Sequence, residues 1–231
     1  MDTRPEYRDK PIRSYVVRAG RMTKSQRNAF TSGWDFYGLK LADGQVDLEK
    51  LFGRSACKVL EIGFGMGDSL LQMAIEQPST DFVGIEVHPP GVGSLINAAT
   101  EKGIKNLRLY LADANDVINE CIAPASIDRV QLYFPDPWHK KKHNKRRIVQ
   151  TQFLQLIRRK LKVGGILHMA TDWQPYAEQM LQLIDEAQGY RNVSGVGNFS
   201  PRPDYRPLTK FEKRGHSLGH GVWDLMAEKT H

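Results

Sequence analysis

Cysteine is nearly absent. The 231 residues hold two, Cys57 and Cys121, at a spacing that makes neither a metal-ligand pair nor a redox pair. This argues against a disulfide framework, fits a reducing cytoplasm, and leaves no metal expected. Long apolar runs are missing as well: no stretch approaches the roughly 20 residues of a membrane helix. Residues 1–30 carry eight Lys or Arg without a continuous apolar segment, so no signal peptide is expected either. No repeat or low-complexity tract is visible. The most telling absence is local. From His139 to Lys162 there is no Asp or Glu but there are ten Lys or Arg, and the other 23 basic residues are outnumbered by 26 acidic ones. The formal charge of +7 is therefore concentrated in one block, which points to a polyanionic partner. Otherwise 40% hydrophobic and 26% charged residues describe a soluble globular chain, long enough for one α/β domain with extensions.

The chain is organised in two parts. Residues 1–27 are polar and basic, with Pro5, Pro11 and little periodicity, and read as an extended or partly disordered arm. The arm and its extension run to about residue 50, with the folded domain over 51–231. From Lys58, short apolar runs alternate with helical stretches. Strands are expected at 58–62, 82–85, 107–111, 127–134 and 166–170. Helices are expected at 68–77, 93–102, 151–161 and 176–187. In the first helix Leu70, Leu71, Ala74 and Ile75 share one face, and Pro78 ends it. In the third, Phe153, Leu154, Ile157 and Leu161 point inward, and Gly164-Gly165 then turns into the next strand. Residues 190–193 and 222–227 suit a closing antiparallel pair. Strands alternating with helices imply βαβ units and a largely parallel sheet.

The first strand-to-helix turn reads Glu61-Ile62-Gly63-Phe64-Gly65-Met66-Gly67. Three glycines at alternate positions allow close ligand approach. Their G-x-G-x-G spacing differs from the G-x-G-x-x-G of dinucleotide phosphate sites, which counts against an NAD-dependent oxidoreductase. Glu61 would be unwelcome beside a pyrophosphate but suits a ligand with an ammonium group, such as S-adenosylmethionine. Glu86, ending the second strand, is placed to accept from ribose hydroxyls; its plainer reading is a surface carboxylate. Asp113, followed by Ala114, is placed to meet an adenine amino group or simply to cap the helix that follows. All three acids fall at C-terminal strand ends, where open α/β sheets bind ligands.

After the fourth strand comes Tyr133-Phe134-Pro135-Asp136-Pro137-Trp138. Paired prolines fix the backbone and hold Asp136 at the mouth of the crevice. The basic block follows at once: Lys140, Lys141, Lys142, His143, Asn144, Lys145, Arg146 and Arg147 are candidate RNA contacts through phosphates, which set affinity and register but read no sequence.

The glycine turn, the Phe134–Trp138 loop and Thr209-Lys210-Phe211-Glu212-Lys213-Arg214-Gly215 closely resemble those of the bacterial tRNA (guanine-N7)-methyltransferases. The likeness runs from about Arg27 to Lys229. It implies a Rossmann-like class I methyltransferase fold: α/β, a mostly parallel seven-stranded sheet with helices on both faces. It also implies methyl transfer from S-adenosylmethionine to N7 of guanine 46 in the tRNA variable loop, by a cytoplasmic enzyme expected as a monomer rather than a homodimer. Glu61, Gly63, Gly65, Glu86, Asp113, Ala114 and Asp136 would then form the cofactor side, with Asp136 the catalytic carboxylate. Lys140, Asp172, Thr209, Lys210, Phe211 and Glu212 would contact the substrate. One departure is Lys142, where the family usually has Arg, exchanging a bidentate donor for a point charge. Two rival readings stand beside this one: transfer to an exocyclic base amine, and a non-catalytic tRNA-binding protein.

Overall fold

The computed structural model describes residues 13–15, 21–208, 212 and 221–231. Eight strands form one sheet: β1 (Gly38–Leu39), β2 (Cys57–Ile62), β3 (Thr80–Glu86), β4 (Leu107–Leu111), β5 (Ile127–Tyr133), β6 (Leu161–Thr171), β7 (Tyr190–Asn192) and β8 (Trp223–Lys229). Their spatial order is β1-β4-β3-β2-β5-β6-β8-β7, parallel except where β8 pairs with β6 and β7. Against the expected seven strands, the eighth is the two-residue β1, which pairs parallel to β4 at the sheet edge. Its shortness left no alternating pattern to read.

Helices cover both faces. α1 (Lys24–Ser32), α4 (Asp68–Glu76) and α5 (Pro89–Glu101) pack on one side with Val59, Phe82, Leu107 and Leu109. α6 (Ala114–Glu120), α7 (Thr151–Lys160) and α8 (Gln174–Glu186) pack on the other with Leu60, Ile62, Val130 and Leu132. The alternation of Val59 and Leu60 between clusters is the period-two pleat of β2, buried on both faces as a central parallel strand must be. Short α2 (Trp34–Tyr37) and α3 (Leu48–Phe52) complete the edge. Among the described residues no helix is long and apolar enough to cross a membrane.

Several expectations change on inspection. Residues 24–27, read as the end of an extended arm, form the first turn of α1. Thr23 and Gln26 make a capping box there, and Ala29 is fully buried. The boundary placed after residue 50 falls inside α3. In α4 the inward face takes Met73, while Ile75 is 44% exposed. α5 starts at Pro89 rather than Gly93, because two prolines suit the first helical turn, where N–H groups lack partners anyway. Gly164-Gly165 does not precede a strand but sits within β6. Pairing jumps from Ile127–Leu161 to Arg129–Ile166, and Gly164 takes a φ of 78°. This irregularity fits three extra residues into β6 relative to β5.

Candidate active site

Chain order reverses between β2 and β5, which lie side by side although β3 and β4 intervene in sequence. Such a switch point leaves a crevice at the C-terminal strand ends. A cavity of about 310 Å³ occupies it, with Gly63, Glu86, Asp113, Ala114 and Asp136 on its wall. Five of the residues expected on the cofactor side are thus brought together. Glu61 lies beneath the floor and Gly65 beside it.

The glycine turn has the features of a ligand cradle. Gly63 and Gly65 have φ values of 75° and 60°, and a Cβ at either would meet nothing within 4 Å. The backbone is held from behind by Gly91 in the first turn of α5, where a Cβ would sit 2.0 Å from the Gly65 carbonyl oxygen. Gly91 carries no signal in the sequence, because it falls just before the helix expected at 93–102 and its close approach to Gly65 is set only by the fold. Glu86 clamps the same turn: its Oε2 accepts from Gly65 N at 2.8 Å, and its Oε1 from Val87 N at 2.6 Å and His88 N at 3.0 Å. A carboxylate offers about four acceptor positions, so roughly one is left for a ligand. Asp113 does cap α6, accepting from Asn115 N at 2.9 Å, while its other face lines the cavity.

Glu61 is 3% exposed, and burial pushes its pKa up to about 8, with nearby Arg129 acting in the opposite direction. Its partner is Gln131 on the adjacent strand. With the Gln131 oxygen turned toward Arg129 Nε and the Tyr133 hydroxyl, both at 3.0 Å, its nitrogen donates to Glu61 Oε2 at 3.3 Å. A buried acid that is largely protonated when alone is poised to ionise beside a cationic ligand.

Asp136 is exposed in a tightly held loop. Phe134 and Trp138, on either side of Pro135-Asp136-Pro137, both have positive φ, 50° and 47°. For bulky residues each such conformation costs on the order of 1–3 kcal/mol, so surrounding contacts must hold it. Phe134 N donates to the Ala170 carbonyl at 2.8 Å. Arg147 Nε donates to the Pro137 carbonyl at 2.8 Å, and Nη1 reaches Gln179 and the Pro175 carbonyl on α8. The His139 ring stands edge-on to Trp173 at 4.4 Å, joining the loop to the turn that carries exposed Asp172.

Arg147 is therefore corrected from a phosphate contact to a buried staple, 4% exposed. Lys141–Arg146 forms a 3₁₀ helix in which Lys141, Lys142, Lys145 and Arg146 are exposed and His143 and Asn144 half-buried; Lys140 precedes it, exposed. The basic block also divides. α7 carries the chain about 15 Å away, so Arg158, Arg159, Lys160 and Lys162 lie toward the opposite end of the sheet. There Lys160 Nζ donates to the Ile122 carbonyl at 2.6 Å, and Lys162 pairs with Asp128 at 2.8 Å.

Glu212, expected to touch substrate, is 2% exposed and pairs with Arg206 Nη2 at 2.7 Å. Thr209, Lys210 and Phe211 lie outside the described residues. Arg206 is wholly buried and also grips Asp224 in a two-pronged contact, both bonds 2.8 Å. His168 Nε2 meets Asp224 Oδ1 at 2.7 Å, and its Nδ1 faces the Tyr133 and Tyr205 hydroxyls. Burial lowers the His168 pKa, keeping it neutral, while its Arg206 and His168 partners hold Asp224 below the usual carboxylate range against the opposing effect of burial. This chain of polar groups links Glu61, through Gln131 and Tyr133, to Glu212. An arginine among prolines gave no sequence sign of it, because charged residues are rarely fully buried. Arg206→Ala would strand two buried carboxylates, with an expected loss of about 3–5 kcal/mol and a fall in Tm of roughly 10 °C, measurable by calorimetry.

The family model described as "Putative methyltransferase" matches residues 55–225. The chain is 61% identical to a tRNA (guanine-N(7)-)-methyltransferase of Saccharophagus degradans over 98% of this chain and 99% of that one. It is 57% identical to the protein of the same name from Pseudomonas putida strain F1, over 99% and 94%. Among solved structures, the 16S rRNA methyltransferase KamB aligns with a TM-score of 0.57 and 16% identity, covering 81% of this chain and 95% of that one. At that identity the likeness is one of fold.

Proposed function

Because the chain belongs to the tRNA (guanine-N(7)-)-methyltransferase family, we propose that its cavity takes S-adenosylmethionine and that it methylates N7 of guanine 46 in the tRNA variable loop. The observation that carries this reading is the convergence of Gly63, Glu86, Asp113 and Asp136 on one cavity at the switch point, with an exposed cationic 3₁₀ helix beside it.

The residues present fit the cofactor. The open space in front of Gly63 and Gly65 admits its backbone-hugging part. Glu61, ionised on contact, answers the α-amino group. The remaining acceptor position of Glu86 meets a ribose hydroxyl, and Asp113 meets the adenine. When bound, the cofactor supplies an electrophilic methyl group on a sulfonium. Guanine N7 offers an in-plane lone pair and no proton, so the protein needs no base to activate it. Its tasks are positioning and charge compensation. Asp136 accepts from the base edge and offsets the positive charge that develops on the purine, and Asp172 on the neighbouring turn adds to that recognition. N7 is occupied by a tertiary pair in folded tRNA, so the nucleotide must be opened before it reaches Asp136.

Lys140, Lys142, Lys145 and Arg146 hold the tRNA backbone. Lys142→Ala and Lys145→Ala are each expected to flatten the plot of log affinity against log salt by about 0.7–1. Arg147→Ala should leave that slope unchanged and lower stability instead; filter binding across a salt series separates the two.

The reading is tested by methyl transfer from labelled S-adenosylmethionine to unmodified tRNA, followed by strand cleavage at 7-methylguanosine. Cleavage at one variable-loop guanine supports it. Incorporation without cleavage would point to an exocyclic amine, and tRNA binding without incorporation to a non-catalytic protein.

A further inference from the structure

Residues 13–15 are remote from the site in sequence, yet they close one side of the cavity, where Ser14 and Tyr15 both line the wall. The Ser14 carbonyl accepts a hydrogen bond from Trp138 Nε1 at 3.1 Å, which ties the segment to the loop bearing Asp136. Trp138 is itself held in place: the Arg146 guanidinium lies 4.9 Å from its ring centroid and His143 stands edge-on at 6.0 Å. On the other side, Tyr15 shares the cavity wall with Asp113, whose carboxylate acts on the phenol. Burial and that carboxylate raise the Tyr15 pKa, so the phenol remains a donor. The Arg13 guanidinium lies 5.8 Å from the Tyr15 ring centroid. With these residues in place the cavity still measures about 310 Å³, so they bound it rather than fill it.

We propose that Tyr15 is a cofactor-contacting residue. Its ring covers the adenosine end of the pocket beside Asp113, and the Ser14–Trp138 hydrogen bond couples that cover to the catalytic loop. The inference rests on the reading of the cavity as an S-adenosylmethionine site. A phenol suits the position because it offers a large rigid face with few rotatable bonds, beside the acid expected to meet the adenine amino group. Ser14 and Tyr15 thereby gain a task besides any contact with RNA: they complete the pocket wall. Because Trp138 follows Asp136 by two residues, filling the adenosine end and settling the substrate loop become one event.

The test is calorimetric titration of the full chain with S-adenosylhomocysteine, without tRNA. Tyr15→Ala should weaken binding roughly tenfold, the scale of losing one base–aromatic stack. Tyr15→Phe keeps the ring and should weaken binding less than Tyr15→Ala does, because the ring face rather than the hydroxyl covers the ligand. Trp138→Phe, which removes the donor to Ser14 but keeps an aromatic ring, should also weaken it. Unchanged affinity in Tyr15→Ala overturns the inference. So does tighter binding, which would show the ring competing for the site. If wild type itself does not bind S-adenosylhomocysteine, the cofactor reading fails first; wild-type binding with an unaffected Tyr15→Ala removes the Tyr15 role alone. Melting each variant without ligand controls for misfolding, and a wild-type Tm is expected because Tyr15 is outside the core.

Discussion

Changing Asp136 to alanine is expected to cut methyl-transfer turnover by about 10²–10³-fold, the usual scale for removing one preorganised charge-stabilising group. Binding of S-adenosylmethionine should fall far less, because Gly63, Glu86 and Asp113 remain on the cavity wall. The physical ground is the charge that methylation places on the purine. A carboxylate fixed where that charge develops stabilises the transition state more than the neutral ground state. Fixation is visible in the positive φ of Phe134 and Trp138 and in the Arg147 bond to the Pro137 carbonyl. Asp136→Asn keeps an acceptor but no charge, and should fall between wild type and Asp136→Ala. Single-turnover rates beside calorimetric affinities would separate the two effects. An alanine variant with full activity would remove Asp136 from the mechanism.

Glu61→Gln should act in opposite directions on stability and on binding. The Glu61 pKa is raised to about 8 by burial. A carboxyl whose folded pKa lies above its unfolded value stabilises the protein fully only below the unfolded value. That stability is lost as pH rises toward 8, because the folded state then resists the ionisation that the unfolded state accepts. Between the ordinary carboxyl value of 4.5 and about 8 the loss amounts to on the order of 4–5 kcal/mol. Glutamine, an isostere of the neutral acid, has no such slope. Without cofactor, the variant should match wild type near pH 4.5 and melt at a higher temperature than wild type at pH 8. Binding should suffer the reverse: losing a charged hydrogen bond to the α-amino group weakens S-adenosylmethionine by roughly 10–100-fold. Wild-type affinity should also rise from pH 6 to 7.5 as ionising Glu61 becomes easier, a trend the variant lacks. Equal melting curves at pH 8 would show that Glu61 is not held protonated.

Much of this protein follows from its sequence alone. The parallel αβ pattern, the glycine turn at the first strand end, the acids at 86 and 113 and the loop around Asp136 all depend on local signals: apolar periodicity, turn residues and motif spacing. β4 matches its expected bounds, and the others differ mostly at their ends, where helix and strand signals fade. Tertiary structure alone decided which charges face water. Arg146 and Arg147 are adjacent and chemically alike, yet one is exposed and the other fills a slot between the Asp136 loop and α8. Glu212 sits in a motif that suggests substrate contact, but Arg206 draws it into the core. Ser14 and Tyr15 belong to a stretch without periodicity, and only the folded chain carries Tyr15 to the wall beside Asp113 and Ser14 to Trp138. A residue's local pattern reports the conformation of its own segment. Whether its charge is solvated, paired or turned into a cavity depends on partners tens or hundreds of residues away, and those are set only when the sheet and its loops assemble.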